Sequence, residues 1–356
     1  MALAACFRPV AFDDIPGWPD DDHAGAFDAF RRSAGHALAS PYKSGSLGVD
    51  AAAFAGAWRA ALSTPRSEAR AFFETLFQPY RIAPPRGGFV TGYYEPEVEA
   101  SPVRTARFAV PLLARPADLV AVDDANRPPG LDPGFAFAAS TPHGLVEYHD
   151  RRAVDGGALA GRGLELAWLA DRVDAFFIHV QGSARLLMPD GAVRRVTYAA
   201  KTGHPFTGIG RVLAELGEIP LEQVTMQSIR AWLAAHPGRV DDILWRNRSY
   251  IFFREAPVGD PALGPVAAAK VPLTPGRSIA VDRLLHTFGT PFYIDAPTLA
   301  AFGAAPFRRL MIAQDTGSAI VGAARGDLFV GSGGPAGEIA GVVRSPADFY
   351  ALVPRA

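Results

Sequence analysis

Glycine and proline interrupt this chain so often that few long regular elements can form. The 356 residues include 36 glycines and 31 prolines, which favours many short strands and turns over long helices. The effect is clearest after residue 264, where the apolar runs are VAAAKVPL (266–273), RSIAVD (277–282), TPFYID (290–295), RLMIAQD (309–315), SAIVG (318–322), DLFVG (327–331) and EIAGVV (338–343). At least six strands in about 90 residues, with no long helix between them, predict a small barrel.

The N-terminal part reads differently. Amphipathic runs predict helices over 24–38, over 51–63 with Asp50 as N-cap, and over 67–77 with Ser67 as cap. After Pro84-Pro85, the aromatic and β-branched stretch 88–100 reads as a strand. In the mixed middle section, 174–188 and 192–200 read as two strands joined by Pro189-Asp190-Gly191, a hairpin turn. Helices are expected at 208–217, at 225–235 with Thr225 as cap, and at 239–247, followed by a strand at 249–255. The fold class expected is α+β, mainly β with an α-helical N-terminal part.

Composition excludes several classes. Hydrophobic residues make up 49% and charged residues 20%, so the chain is globular and not disordered. A formal charge of −1, with no Lys/Arg run longer than a pair, argues against nucleic acid as a partner. No apolar stretch approaches the roughly 18 residues of a membrane span. The only cysteine, Cys6, rules out an intrachain disulfide, and Leu3-Ala4-Ala5-Cys6 reads as the end of a bacterial lipoprotein signal in which Cys6 would be acylated. Only five residues precede it, fewer than an export signal needs.

The strongest chemical statement is a pair of aspartates twelve positions apart, Asp315 at the end of one apolar run and Asp327 at the start of another. A carboxylate at the mouth of a buried strand is costly unless it is paired, hydrogen-bonded or used. The plainer reading is that Asp caps turns, which also suits Asp282 at the end of its run. Asp315-Thr316-Gly317-Ser318 invites comparison with an aspartic protease, but no second such motif exists for the dyad to form within one chain. Thr91, Gly92 and Tyr93 group a hydroxyl and an aromatic ring at a strand end, suited to sugar as well as to a core. Gln181, Gly182 and Ser183 interrupt an apolar run, and Lys201 follows its partner strand. The eight histidines form no H-E-x-x-H, no dinucleotide loop is present and no G-x-S-x-G occurs, so neither metal nor cofactor is expected.

Taken together and in order, these segments resemble the MltA-type membrane-bound lytic murein transglycosylases. The resemblance is carried by FDDIPGWPDDD (12–22), FVTGYYEPEVEAS (89–101), DAFFIHVQGSARLL (174–187), YAAKTGHPFTGIGRVL (198–213), MQSIRAWLAAHP (226–237), RNRSYIFFRE (246–255) and DTGSAIVGAARGDLFVGSG (315–333). The last segment also resembles a three-aspartate domain, a double-psi β-barrel, with Asp282, Asp315 and Asp327 as its aspartates. Departures are Ala184, where a glycine is expected, and Ala323-Ala324-Arg325 between the aspartates.

The resemblance implies a discontinuous barrel domain over 1–104 and 251–356, a smaller inserted β domain over 105–250, and a groove between them for murein glycan. It implies a peptidoglycan lytic exotransglycosylase that leaves 1,6-anhydromuramic acid ends. Asp327 would be its acid and then its base, supported by Asp315. Thr91, Gly92, Tyr93, Gln181, Gly182, Ser183, Lys201 and Asp282 would bind substrate. It further implies a periplasmic, outer-membrane-associated protein whose partners are glycan strands and cell-wall synthesis proteins. A murein-binding protein without activity is the alternative.

Overall fold

The computed structural model describes residues 3–85, 87–303 and 306–355. Its chain forms two compact units, Met1–Tyr94 with Gly259–Ala356, and Glu95–Val258.

The first unit holds the three N-terminal helices. His23–Ala39 buries Ala26, Phe27, Phe30, Ala34 and Ala37, spaced as one helical face, and Asp22 caps it by accepting from the Gly25 N–H. The expected second and third helices each open with a 3₁₀ turn, Ala51–Phe54 before Ala55–Ser63 and Arg66–Glu68 before Ala69–Leu76. Asp50 caps as expected, whereas Ser67 lies inside its 3₁₀ turn. Phe27, Phe30, Phe72, Phe73 and Phe77 pack ring against ring, edge-on or tilted, each buried ring contributing about 2–3 kcal/mol.

The helices cover a nine-stranded sheet in the order Phe7–Pro9, Phe77–Ile82, Asp348–Pro354, Pro291–Ala296, Phe307–Asp315, Ser278–Val281, Arg325–Ser332, Phe89–Glu95, Arg344–Pro346. Most neighbours run antiparallel, but Ser278–Val281 pairs with Phe307–Asp315 in parallel. Buried Gln314 ties sheet to helix, donating to the Ala29 carbonyl and the Ser33 hydroxyl at 2.8 Å each.

Three expected C-terminal strands are not strands. Residues 266–273 form a tight loop closed by one Val266–Pro272 bridge, with Lys270 at φ 62°. Residues 318–322 are turn, and 338–343 run through the helix Gly334–Ala340. That helix starts where Gly333, at φ 83°, ends the strand and Pro335 suits a first helical turn.

The second unit carries a six-stranded sheet in the order Ile251–Ala256, Val193–Lys201, Ser183–Leu187, Glu97–Ser101, Glu165–Leu169, Val110–Leu113. A parallel bridge between Ala114 and Phe253 links the two ends of that order. A separate three-stranded sheet and several helices complete the unit, so helix is not confined to the N-terminal part. The hairpin at Pro189-Asp190-Gly191 forms, but its first arm is only Ser183–Leu187. Residues Arg172–Gln181 are a helix, capped by Asp171 and ended by Gly182 at φ 80°. Thr225 caps Met226–Ala235 as expected, accepting from the Ser228 N–H. Fully buried Glu95 sits between the guanidinium groups of Arg185 and Arg195, at 2.9 and 2.7 Å.

Candidate active site

In the first unit, Asp315 and Asp327 meet on one face of the sheet. The central strand Ser278–Val281 has a different neighbour on each side, and Ala280 is in register with both aspartates, Asp315 across the parallel pair and Asp327 across the antiparallel pair. A register shift between Ile279 and Ala280 accompanies the first pairing. Two strand spacings separate the aspartate backbones, about 10 Å.

The strand Phe89–Glu95, beside the Asp327 strand, supplies a hydroxyl to each carboxyl. Thr91 and Tyr93 are two positions apart and so face the same way. Thr91 Oγ1 donates to Asp327 Oδ1 at 2.6 Å, and Tyr93 Oη donates to Asp315 Oδ2 at 3.0 Å. The Tyr93 ring packs on Phe329 in a small apolar cluster with Leu273, Ala280 and Ile320. Asp315 Oδ1 also accepts from the Ala268 N–H at 3.3 Å, which gives the 266–273 loop a role.

Burial raises the proton affinity of both acids. Asp315 is pushed up to about 6, with repulsion from Asp327 adding to the rise and the N–H groups of Thr316 and Ala268 and the Tyr93 hydroxyl opposing it. Asp327 is also raised by burial, against the pull of Arg325 and the Thr91 hydrogen bond. Tyr93 rises well above the usual range, through burial and the two neighbouring carboxylates. Each acid thus has its own hydroxyl partner, and no hydrogen bond joins the two carboxyls, unlike the shared proton of an aspartic-protease dyad.

Arg325, which departs from the family segment, belongs to this cluster. Its guanidinium donates to Thr91 Oγ1 at 2.7 Å and to the Gly326 carbonyl. The signal for it was local, because a strand residue two before Asp327 shares its face.

The other candidates have the following local surroundings. Gly92 lies against the helix Gly334–Ala340: a Cβ there would meet Val343 Cβ at 2.9 Å and Ala340 Cα at 3.1 Å. Both Asp282 carboxylate oxygens are taken by backbone, Oδ1 by the Leu284 N–H and Oδ2 by the Gly322 N–H, which joins two turns. Gln181, Gly182, Ser183 and Lys201 belong to the second unit. There Gln181 ends a helix, Gly182 is its left-handed cap, Ser183 is buried opposite Thr197, and Lys201 closes its strand opposite Ile251. Among the described residues, no three His, Cys, Asp or Glu side chains are grouped so as to hold a metal ion.

Residues 89–254 match the MltA specific insert domain and residues 277–353 match the 3D domain. The chain is similar to the crystal structure of a membrane-bound lytic murein transglycosylase from Agrobacterium tumefaciens, at 52% identity and a TM-score of 0.93, over 98% of each chain. It is 32% identical over 257 residues to membrane-bound lytic murein transglycosylase A of Escherichia coli K12, covering 70% of this chain and 61% of that protein. The Vibrio cholerae protein of the same name is 36% identical over 191 residues, 52% of this chain and 50% of that protein. The chain therefore spans about half to three-fifths of these two relatives' length.

Proposed function

The chain belongs to the membrane-bound lytic murein transglycosylase A family, and from that premise we propose that it cleaves the β-1,4 bond between N-acetylmuramic acid and N-acetylglucosamine without water. The observation that carries this reading is Asp327, a carboxyl whose burial favours a proton and whose Oδ1 is held by one hydroxyl. A hydrolytic glycosidase divides its work between two carboxylates, one acid and one base or nucleophile. In a lytic transglycosylase the substrate brings the nucleophile, so one acid suffices.

Asp327 protonates the leaving glycosidic oxygen as the bond to the muramic C1 breaks. The C6 hydroxyl of the same muramic residue bonds to C1 and gives its proton to the Asp327 carboxylate, which closes a 1,6-anhydro ring and resets the acid. Asp315, when ionised, favours the positive charge that develops on the sugar ring. Thr91 and Tyr93 serve first to hold the two acids.

In this reading the protein works in the periplasm on glycan strands. Among the described residues no helix is long and apolar enough to cross a membrane. The attachment that belongs to this reading is an acyl chain at Cys6. Digestion of purified sacculi, with products read by mass spectrometry, tests the reaction. Anhydromuropeptides are expected; reducing-end products would make the protein a hydrolase, and retention on sacculi without products would make it a binder.

A further inference from the structure

We propose that Arg325 is a positioning residue that acts through Thr91, fixing Asp327 Oδ1 as a permanent acceptor and leaving Oδ2 to carry the proton that is transferred. The proposal rests on the reading above only in naming Asp327 as the acid.

A threonine hydroxyl has one hydrogen and two lone pairs, and a guanidinium can only donate. With Arg325 Nη2 at 2.7 Å, Thr91 Oγ1 must accept there, and its own hydrogen points elsewhere. Among the described residues Asp327 Oδ1, at 2.6 Å, is the acceptor within its reach. The second Arg325 amino group is bound to the Gly326 carbonyl, and the guanidinium lies 5.9 Å from the Phe89 ring centre, so its plane is held.

Arg325 has lost much of its solvation and, among the described residues, forms no ion pair with a carboxylate; Asp327 is the charged group that favours its cationic form. A direct Arg–Asp pair would hold Asp327 ionised and remove the acid. A cation one hydroxyl away lowers the cost of the carboxylate without abolishing the protonated form, which suits a group that must give a proton and take one back.

Among the described residues, the charged and titratable groups on the neighbouring elements are Tyr93, Tyr94 and Glu95 on the Thr91 strand, Asp315 across the central strand (which itself contributes the neutral Ala280), Glu338 on the Gly334–Ala340 helix, and Arg344, in register with Thr91.

The test is a carbon-13 NMR titration of the Asp327 carboxyl in the full chain, alongside the pH dependence of sacculus digestion. Arg325→Gln and Thr91→Val should each move the Asp327 midpoint upward by about one pH unit. Thr91→Ser, which keeps the hydroxyl, should restore it to within a few tenths. The double variant should shift by less than the sum of the two, because both changes cut one chain. The alkaline limb of kcat/KM should move by the same amount, with KM within about twofold. A midpoint unchanged in folded Arg325→Gln, or shifts that simply add, would overturn the proposal. A titration shift of the expected sign supports it even if sacculi yield no anhydro ends, an outcome that would remove only the proposed function.

Discussion

Asp315 illustrates how a site residue weighs on the fold that holds it. Its folded value of about 6 lies above the ordinary 3.8, so the folded state prefers the protonated form. Stability is therefore lost as pH rises from about 4 through 6, and the full cost, up to about 3 kcal/mol, is present above 6. Asp315→Asn removes that charge. We expect it to raise stability by about 1–2 kcal/mol at pH 7, to leave it unchanged near pH 4, and to slow turnover. Urea unfolding at the two pH values checks the first two outcomes, and equal effects at both would show that the charge is not the cause. Asp327→Asn should keep the fold and sacculus binding yet lose nearly all turnover; activity within a few fold of the parent would exclude Asp327 as the acid. Both aspartates were visible in the chain as carboxylates at the ends of apolar runs. Arg325 carries a weaker local signal, its two-residue spacing from Asp327 matching the period of a strand.

At the scale of elements, a close approach holds the Thr91–Tyr93 segment in place. Gly92 lies against the backbone of the Gly334–Ala340 helix, and an added methyl group would fall 3.1 Å from both Ala340 Cα and Ala340 O. Helix backbone yields less easily than a flexible side chain, so Gly92→Ala should cost about 1–3 kcal/mol and displace both neighbouring hydroxyls. Denaturant unfolding and the digestion rate should fall together; a fully stable, fully active variant would contradict that packing. Elements with local signals were readable, among them the caps at Asp50 and Thr225 and the hairpin at Pro189-Asp190-Gly191. The 172–181 segment is a helix where a strand is expected, because it is apolar on almost every side, with Ala175 through His179 buried in succession, and no period distinguishes helix from strand. Asp171 before it and Gly182 after it were the boundary signals to weigh.

For the whole molecule, contacts between distant parts of the chain decide the outcome. Arg277 pairs with Asp21 at 2.8 Å, Tyr293 Oη reaches the Pro16 carbonyl, and Gln314 reaches the first helix, so the opening residues complete a unit closed by the last hundred. The N-terminus bears directly on attachment. Leu3 and Ala4 pack on the core, and the Cys6 carbonyl accepts from the Ala83 N–H. If Cys6 is acylated, the residues before it must be released. A membrane fraction from cells fed labelled fatty acid should then carry label on this protein, and Cys6→Ser should abolish it; label retained in that variant would exclude the site. Residue order alone was enough to mark the helix caps at Asp50 and Thr225, the hairpin turn, the two apolar runs bounded by Asp315 and Asp327 and the succession of family segments, because each depends on neighbours within a few positions. Only the folded chain decided that Ala280 would pair on both sides, bringing Asp315 and Asp327 onto one face, and that Thr91 and Tyr93, more than 200 positions earlier, would supply their hydroxyl partners. Strand order and register are set by which apolar faces bury one another, and no local pattern encodes that pairing.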